Sequence, residues 1–332
     1  MNKEQLERML REKHSNTGAI VVFRGNEMVY EYYQQGCNID SPFHVFSVTK
    51  SVVSILIGIA IDKGYIKNVD QKVLEFFPDY SPKRGEKTIQ QITLRDLLTM
   101  TAPYKYKYAP YTKYFTSGDW VKASLDLLGG NGKIGEFRYT PIIGPDIFAG
   151  ILCNTTGMSM LEFARKYLFE PLEINIPGDI IFTNKEEQMA FYKSKTVHGW
   201  VKGPTGVHTA GFGLAITPED MIKIGKLYLN KGSWNGTQLV SKEWIAECTK
   251  VQSVWKPGIG VKRTLKYGYL WWIIDEAEGS FAALGDGGNV IYVNPKEEIV
   301  VAVGAYFKPR VPDSMELIKE YIEPMVLGDD FA

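Results

Sequence analysis

The chain predicts an α+β fold: an antiparallel sheet contributed by both chain termini and flanked by terminal helices, with a mostly helical region inserted between the two halves. Three observations carry this expectation. β-rich runs cluster near the two ends, helix-like spacing dominates the middle, and a helix-prone segment both opens and closes the chain.

The opening "MNKEQLERMLREKHSNTG" is charged and helix-prone. "GAIVVFRGNEMVYEYY" follows as two strands around Arg24, Gly25, Asn26 and Glu27, a hairpin signal with Gly and Asn in the turn. The middle contains "TLRDLLTM", "SGDWVKASLDLL", "PDIFAGILC", "SMLEFARKYLFEPL", "TPEDMIKIGKLYLNKG" and "SKEWIAECTK". Several begin with Thr, Ser or Asp and carry an acid in the first turn, the mark of a capped helix start. Toward the end "YGYLWWII", "GSFAALGDGGNVIYVNP" and "EEIVVAVGAYF" read as three strands, the last two separated by a turn at Asn294, Pro295 and Lys296. A helix from about Asp313 to Val326 closes the chain. The expected division is a sheet part at about 1–45 and 262–332 and a helical part at about 46–261, with "YKYKYAPYTKYF" (104–115) as an aromatic loop that either folds its tyrosines over the core or lines a substrate site.

With 332 residues, 45% of them hydrophobic, the chain can bury a large core. Thirty-eight basic residues balance 38 acidic ones, so the charge expected of a nucleic-acid binder is missing. Cys37, Cys153 and Cys248 are far apart and odd in number, and read as free thiols. No segment has the ~18 apolar residues of a membrane span and no signal peptide is evident, so a cytoplasmic location is expected.

The chemistry centres on "FSVTKS", at the mouth of the apolar run from Val52 to Ile61. The unit from Ser47 to Lys63 is too long for a strand and ends at Gly64, a helix C-cap residue, so it reads as a buried central helix. Ser47 and Lys50 then lie one turn apart on one face. Burial lowers a lysine's pKa, which makes Lys50 a plausible base for a Ser47 nucleophile, and the helix N-terminus favours an oxyanion. A serine N-cap with a snorkelling lysine fits the same two residues.

The wider text separates these readings. "FSVTKSVVSILIGIAIDKGYI", "VDQKVLEFFPDY", "ITLRDLLTMTA", "AGFGLAITPEDMIKIGKLYLNKGSWNGTQLVSKEWI", "YGYLWWI" and "GGNVIYVNPKEEIVVAV" together resemble the serine beta-lactamase-like superfamily. Its class C branch, with penicillin-binding-protein-like carboxypeptidases, esterases and nylon-oligomer hydrolases, is the nearest, and the resemblance runs in order from about Gly18 to Glu323. It implies catalytic roles for Ser47 and Lys50, and for Tyr139 in "FRYTP" as the group that shuttles a proton between nucleophile and leaving group. The third motif falls on Asp286, Gly287 and Gly288, expected on an inner strand, with the Asn289 N–H as second oxyanion donor. Two departures stand out: Pro141 replaces the family's usual Asn, and Asp286 replaces a Lys or His that helps to hold a substrate carboxylate.

The resemblance implies a serine hydrolase that cleaves an amide or ester of a small molecule or short peptide through an acyl-enzyme, with no cofactor. A D-amino-acid peptidase or penicillin-binding-protein-like carboxypeptidase is an alternative, and so is a non-catalytic binding protein that keeps the fold. Other signals are weaker. Gly130, Gly132 and Gly135 spell GxGxxG after a helix-like segment, which reads as a plain loop, and His14, His44, His198 and His208 are scattered. His44, three residues before Ser47, either lines the cleft or is structural.

Overall fold

The computed structural model describes residues 2–256 and 264–328. Eight antiparallel strands form a sheet in the order Glu27–Tyr33, Thr17–Arg24, Ile299–Ala305, Asn289–Asn294, Ser280–Gly285, Trp272–Asp275, Leu265–Tyr267, Ser253–Trp255. The N-terminal hairpin thus pairs directly with the last strand, with Val21 opposite Ala302, as the strand signals at both ends implied. The hairpin turns at Gly25, whose φ of 56° suits a residue without Cβ.

Alternation along these strands sorts the core into two layers. Ile20 and Val22, with Ile299, Val301 and Val303, face the terminal helices and meet Leu6, Leu10, Met315, Ile318 and Ile322. Ala19 and Val21, with Val300 and Ala302, face the central helix and the helical region. The sheet is therefore covered on both sides. The closing helix is tied down by Glu323, a buried carboxylate that accepts from Tyr292 Oη at 3.1 Å and Asn294 Nδ2 at 2.5 Å.

The central helix spans Val48–Asp62, and every residue from Val48 to Ala60 is buried. Such a helix shows no polar face because none meets water. Its hydroxyls instead bond backbone: Ser51 Oγ donates to the Leu270 carbonyl and Ser54 Oγ to the Tyr269 carbonyl, both at 2.7 Å. All six middle segments form helices, and Thr93, Asp119, Ser159, Thr217 and Ser241 cap five of them with their side chains.

Four details differ from expectation. "YGYLWWII" is not one strand: Tyr267 ends the strand Leu265–Tyr267, and Leu270, at φ of 62°, lies in the turn before Trp272–Asp275. "GSFAALGDGGNVIYVNP" is two strands, because Gly287 and Gly288 adopt φ of 81° and 95° and reverse the chain between Gly285 and Asn289. Asp286–Gly288 is accordingly a 3₁₀ turn rather than part of an inner strand. The helical region also holds a second sheet, in the order Phe43–His44, Leu214–Ile216, Gly199–Lys202, Asp179–Ile181. Ser253–Trp255 already belongs to the large sheet, while the expected boundary at 262 lies outside the described residues.

Gly58 marks the tightest contact on the central helix. A Cβ there would lie 2.3 Å from the Trp244 ring, whose Nε1 donates to the Ser54 carbonyl at 3.0 Å. Gly58→Ala should therefore destabilise the fold by roughly 1–3 kcal/mol despite alanine's better helix propensity. Thermal denaturation of the two proteins measures this, with a lower Tm expected for the variant.

Candidate active site

Ser47 sits at the N-cap of the central helix, but its side chain makes no capping bond. The turn before it is unusual: Phe46 has φ of 48°, a left-handed conformation that costs roughly 1–3 kcal/mol for a residue with a side chain. Packing holds it there. The Phe46 ring lies 3.9 Å from His44, 5.4 Å from Phe307 and 6.1 Å from Tyr192, centroid to centroid, and the Phe46 carbonyl accepts from Thr49 Oγ1 at 2.6 Å. Among the described residues no acceptor meets the Ser47 N–H.

Lys50, one turn on, is 1% exposed. Its Nζ lies 2.8 Å from Ser47 Oγ, 2.7 Å from the Pro141 carbonyl and 2.7 Å from the Gly211 carbonyl. Burial lowers its pKa to about 7, against the opposing pull of Asp286 and Asp146. Carbonyl oxygens only accept, so in the neutral amine both hydrogens go to Pro141 and Gly211. The lone pair is then left facing the serine hydroxyl. The snorkelling alternative is excluded by this geometry, since the amine ends in the interior.

Tyr139 completes the cluster. Its hydroxyl lies close enough to the Ser47 side chain to interact with it, and its ring lies 5.3 Å from Lys50 Nζ and 5.5 Å from the Trp272 ring. Burial pushes the phenol up to about 12, so it holds its proton at neutral pH. The segment is fixed on one side by Arg138, whose N–H donates to the Met100 carbonyl at 2.6 Å and whose guanidinium bonds the Tyr104 and Tyr106 carbonyls. Pro141, where an amide side chain was expected, contributes its backbone carbonyl to Lys50.

Ser47, Tyr139 and Pro141 open onto a cavity of about 460 Å³, also lined by Trp255, Leu265, Trp272, Leu284, Gly285 and Asp286, a size suited to a small ligand. Gly285 is required here: a Cβ would lie 2.1 Å from the Val45 carbonyl, two residues before Ser47. Asp286 is exposed and faces the cleft, since its charge bears on Lys50, Tyr139, Tyr111 and Tyr192.

Gly287, Gly288 and Asn289 are not brought into the lining. Asn289 instead clamps the turn from behind: Nδ2 donates to the Asp286 carbonyl at 2.8 Å and the Ala305 carbonyl at 3.0 Å, while Oδ1 accepts the Ala305 N–H at 2.9 Å. His44 is structural. Its Nε2 accepts the Gly213 N–H at 3.1 Å, and burial lowers its pKa to about 3, so it stays neutral. The GxGxxG loop is no phosphate cradle either, because both Glu86 carboxylate oxygens take the Gly130 N–H at 3.2 Å. In the 104–115 segment Tyr104 and Tyr114 fold into the core, Tyr108 stays exposed, and none lines the cavity.

Sequence reasoning missed two participants. Gly211 reaches Lys50 across 161 positions, and Asp146, in the first turn of its helix, binds the Ala210 N–H at 2.8 Å just beside it. Nothing local in either stretch signals the contact.

The family model described as Beta-lactamase matches residues 3–312. The chain belongs to the beta-lactamase family. A 6-aminohexanoate-dimer hydrolase of Paenarthrobacter ureafaciens is 24% identical over 307 residues, spanning 86% of this chain and 71% of that protein. Two solved structures share the fold. The octameric penicillin-binding protein homologue from Pyrococcus abyssi has a TM-score of 0.72 and 21% identity, covering 99% of this chain and 78% of its own. A family VIII carboxylesterase has a TM-score of 0.71 and 16% identity, covering 97% and 96%. Of these three, the dimer hydrolase and the carboxylesterase are named for hydrolytic activities.

The state of Lys50 has a measurable consequence. The fraction of neutral amine beside Ser47 should rise with pH through about 7, and the rate at which a fluorophosphonate modifies Ser47 should rise with it and then level off. A rise centred near the ordinary lysine value of about 10.4 would show that the amine is not depressed.

Proposed function

We propose that this beta-lactamase-family protein is a serine hydrolase that cleaves an amide or ester through an acyl-enzyme on Ser47. The observation that carries the reading is the Lys50 amine, held 2.8 Å from Ser47 Oγ with its other directions taken by two carbonyls. As Ser47 Oγ attacks the substrate carbonyl carbon, its proton passes to Lys50. The Ser47 N–H faces the oxyanion that forms, and the cleft-side position of the Asp286 backbone makes its N–H a better second donor than that of Asn289. Lys50 and Tyr139 then deliver the proton to the leaving group as the C–N or C–O bond breaks. Water, deprotonated by the same pair, attacks the acyl carbon, releases the acid and returns the proton to Ser47.

The non-catalytic reading is disfavoured by the same residue. Burying an amine against carbonyls is expensive, and a protein that merely kept the fold has no use for it.

The test is intact-mass measurement after incubation with a fluorophosphonate and a short-chain nitrophenyl ester. One adduct is expected on the parent, none on Ser47→Ala, and ester turnover only in the parent. Labelling that persists in a folded Ser47→Ala protein overturns the assignment.

Asp286 favours one version of the reading, in which the substrate carries an amine rather than a carboxylate near the scissile bond, as a D-amino-acid peptide with a free amine would. Two like charges ~4 Å apart repel by about 4 kcal/mol at an effective dielectric of 20. For matched ester substrates, kcat/KM should favour the amine over the carboxylate, and Asp286→His should narrow or reverse that order. An order unchanged by the substitution would leave Asp286 without a part in selectivity.

A further inference from the structure

A second carboxylate lies beneath the cleft, outside its lining. Asp146, 2% exposed, opens the Asp146–Thr156 helix. It accepts the Ala210 N–H at 2.8 Å and the hydroxyl of Tyr114, itself 1% exposed, with the Gly211 N–H close enough to favour its charged form. Gly211 in turn presents its carbonyl to Lys50 at 2.7 Å. The carboxylate and the amine thus grip the two ends of one short stretch of backbone.

The rest of that stretch is held as firmly. Trp200 Nε1 donates to the Thr209 carbonyl at 2.8 Å, Thr209 Oγ1 to the Phe212 carbonyl at 2.6 Å, and the Gly213 N–H to His44. Residue 211 also has to be glycine, since a Cβ would lie 2.9 Å from the Pro141 carbonyl, the other acceptor of Lys50. A strap this constrained can aim a carbonyl, provided its N–H groups are anchored.

We propose that Asp146 is a positioning residue for Lys50: it fixes the Ala210–Gly211 backbone whose carbonyl orients the amine toward Ser47, and its carboxylate acts on that amine from beneath the cleft. The proposal rests on the serine-hydrolase reading and extends it to a residue that touches neither substrate nor nucleophile.

The charges acting on Lys50 can be named. Ser47 shares its helix, Tyr139 comes from the segment before Pro141, Asp286 from the turn between two strands, and Asp146 from its own helix. Both carboxylates favour the ammonium form, while burial opposes it more strongly. Removing Asp146's charge should therefore extend the neutral amine to lower pH. Tyr114 acts one step back: burial raises the Asp146 carboxyl and the Tyr114 hydrogen bond pulls against that rise, the two together leaving it at about 6.

The experiment is the pH dependence of Ser47 modification by a fluorophosphonate, in single turnover, on parent, Asp146→Asn and Tyr114→Phe proteins. In Asp146→Asn the midpoint should move to lower pH by roughly half a unit or more. The plateau rate should fall about ten- to a hundredfold as the strap loosens. Tyr114→Phe leaves the backbone contacts intact but makes Asp146 easier to protonate, so its midpoint should move the same way by less, with the plateau nearly kept.

A purely structural anchor would lower the Tm and the amount of folded protein without moving either midpoint. That result in folded Asp146→Asn overturns the proposal. Should Asp146→Asn fail to fold, an unmoved midpoint in Tyr114→Phe does the same, and a moved one supports it. If the parent itself is not modified at Ser47, the serine-hydrolase reading fails; modification with unmoved midpoints sinks only the role of Asp146.

Discussion

An amine without water is the constraint on which this structure turns. Lys50 is enclosed on a helix buried from Val48 to Ala60, and an ammonium there would be costly unless its hydrogens found acceptors. Three separate regions supply them: the helix start, the segment after Tyr139 and the strap between two strands of the second sheet. Their convergence on one nitrogen explains features that otherwise look unrelated. The small sheet delivers the strap, the glycine at 211 lets two carbonyls approach together, and the buried serines further along the helix are satisfied by backbone rather than by water.

The same enclosure separates two groups that titrate close together in water. Lys50 and Tyr139 have ordinary values near 10, yet burial drives the amine to about 7 and the phenol to about 12. In each case the neutral form is favoured, so one becomes a base and the other remains a donor at the same pH. Both contact a single hydroxyl.

How much of this could be read from residues depends on the distance over which each contact acts. Ser47 and Lys50 were legible because helical periodicity alone puts them on one face. Tyr139 was not, since 92 positions separate it from the serine and only the family resemblance marks it. The strands of the large sheet announced themselves by composition. The second sheet did not, because strands of two to four residues carry no period. The turn at Asp286–Gly288 hid inside an apolar run that read as one inner strand. Asp146 was visible only as a helix-start acid; its real partners, Tyr114 and Ala210, lie 32 and 64 positions away.

The pairing of the first strand with the last has a consequence for how the chain is made. Thr17–Arg24 waits for Ile299–Ala305 before it has its inner neighbour in the sheet, and Ser280, which opens the strand packed on the central helix, follows Ala60 by 220 positions. During synthesis from the N-terminus, the greasiest helix of the protein therefore emerges long before the layer that covers it. Closing so long a loop is slow relative to local contacts. For that interval the nascent chain carries a cylinder of Val, Ile and Leu with no roof, a segment that invites aggregation unless a chaperone shields it.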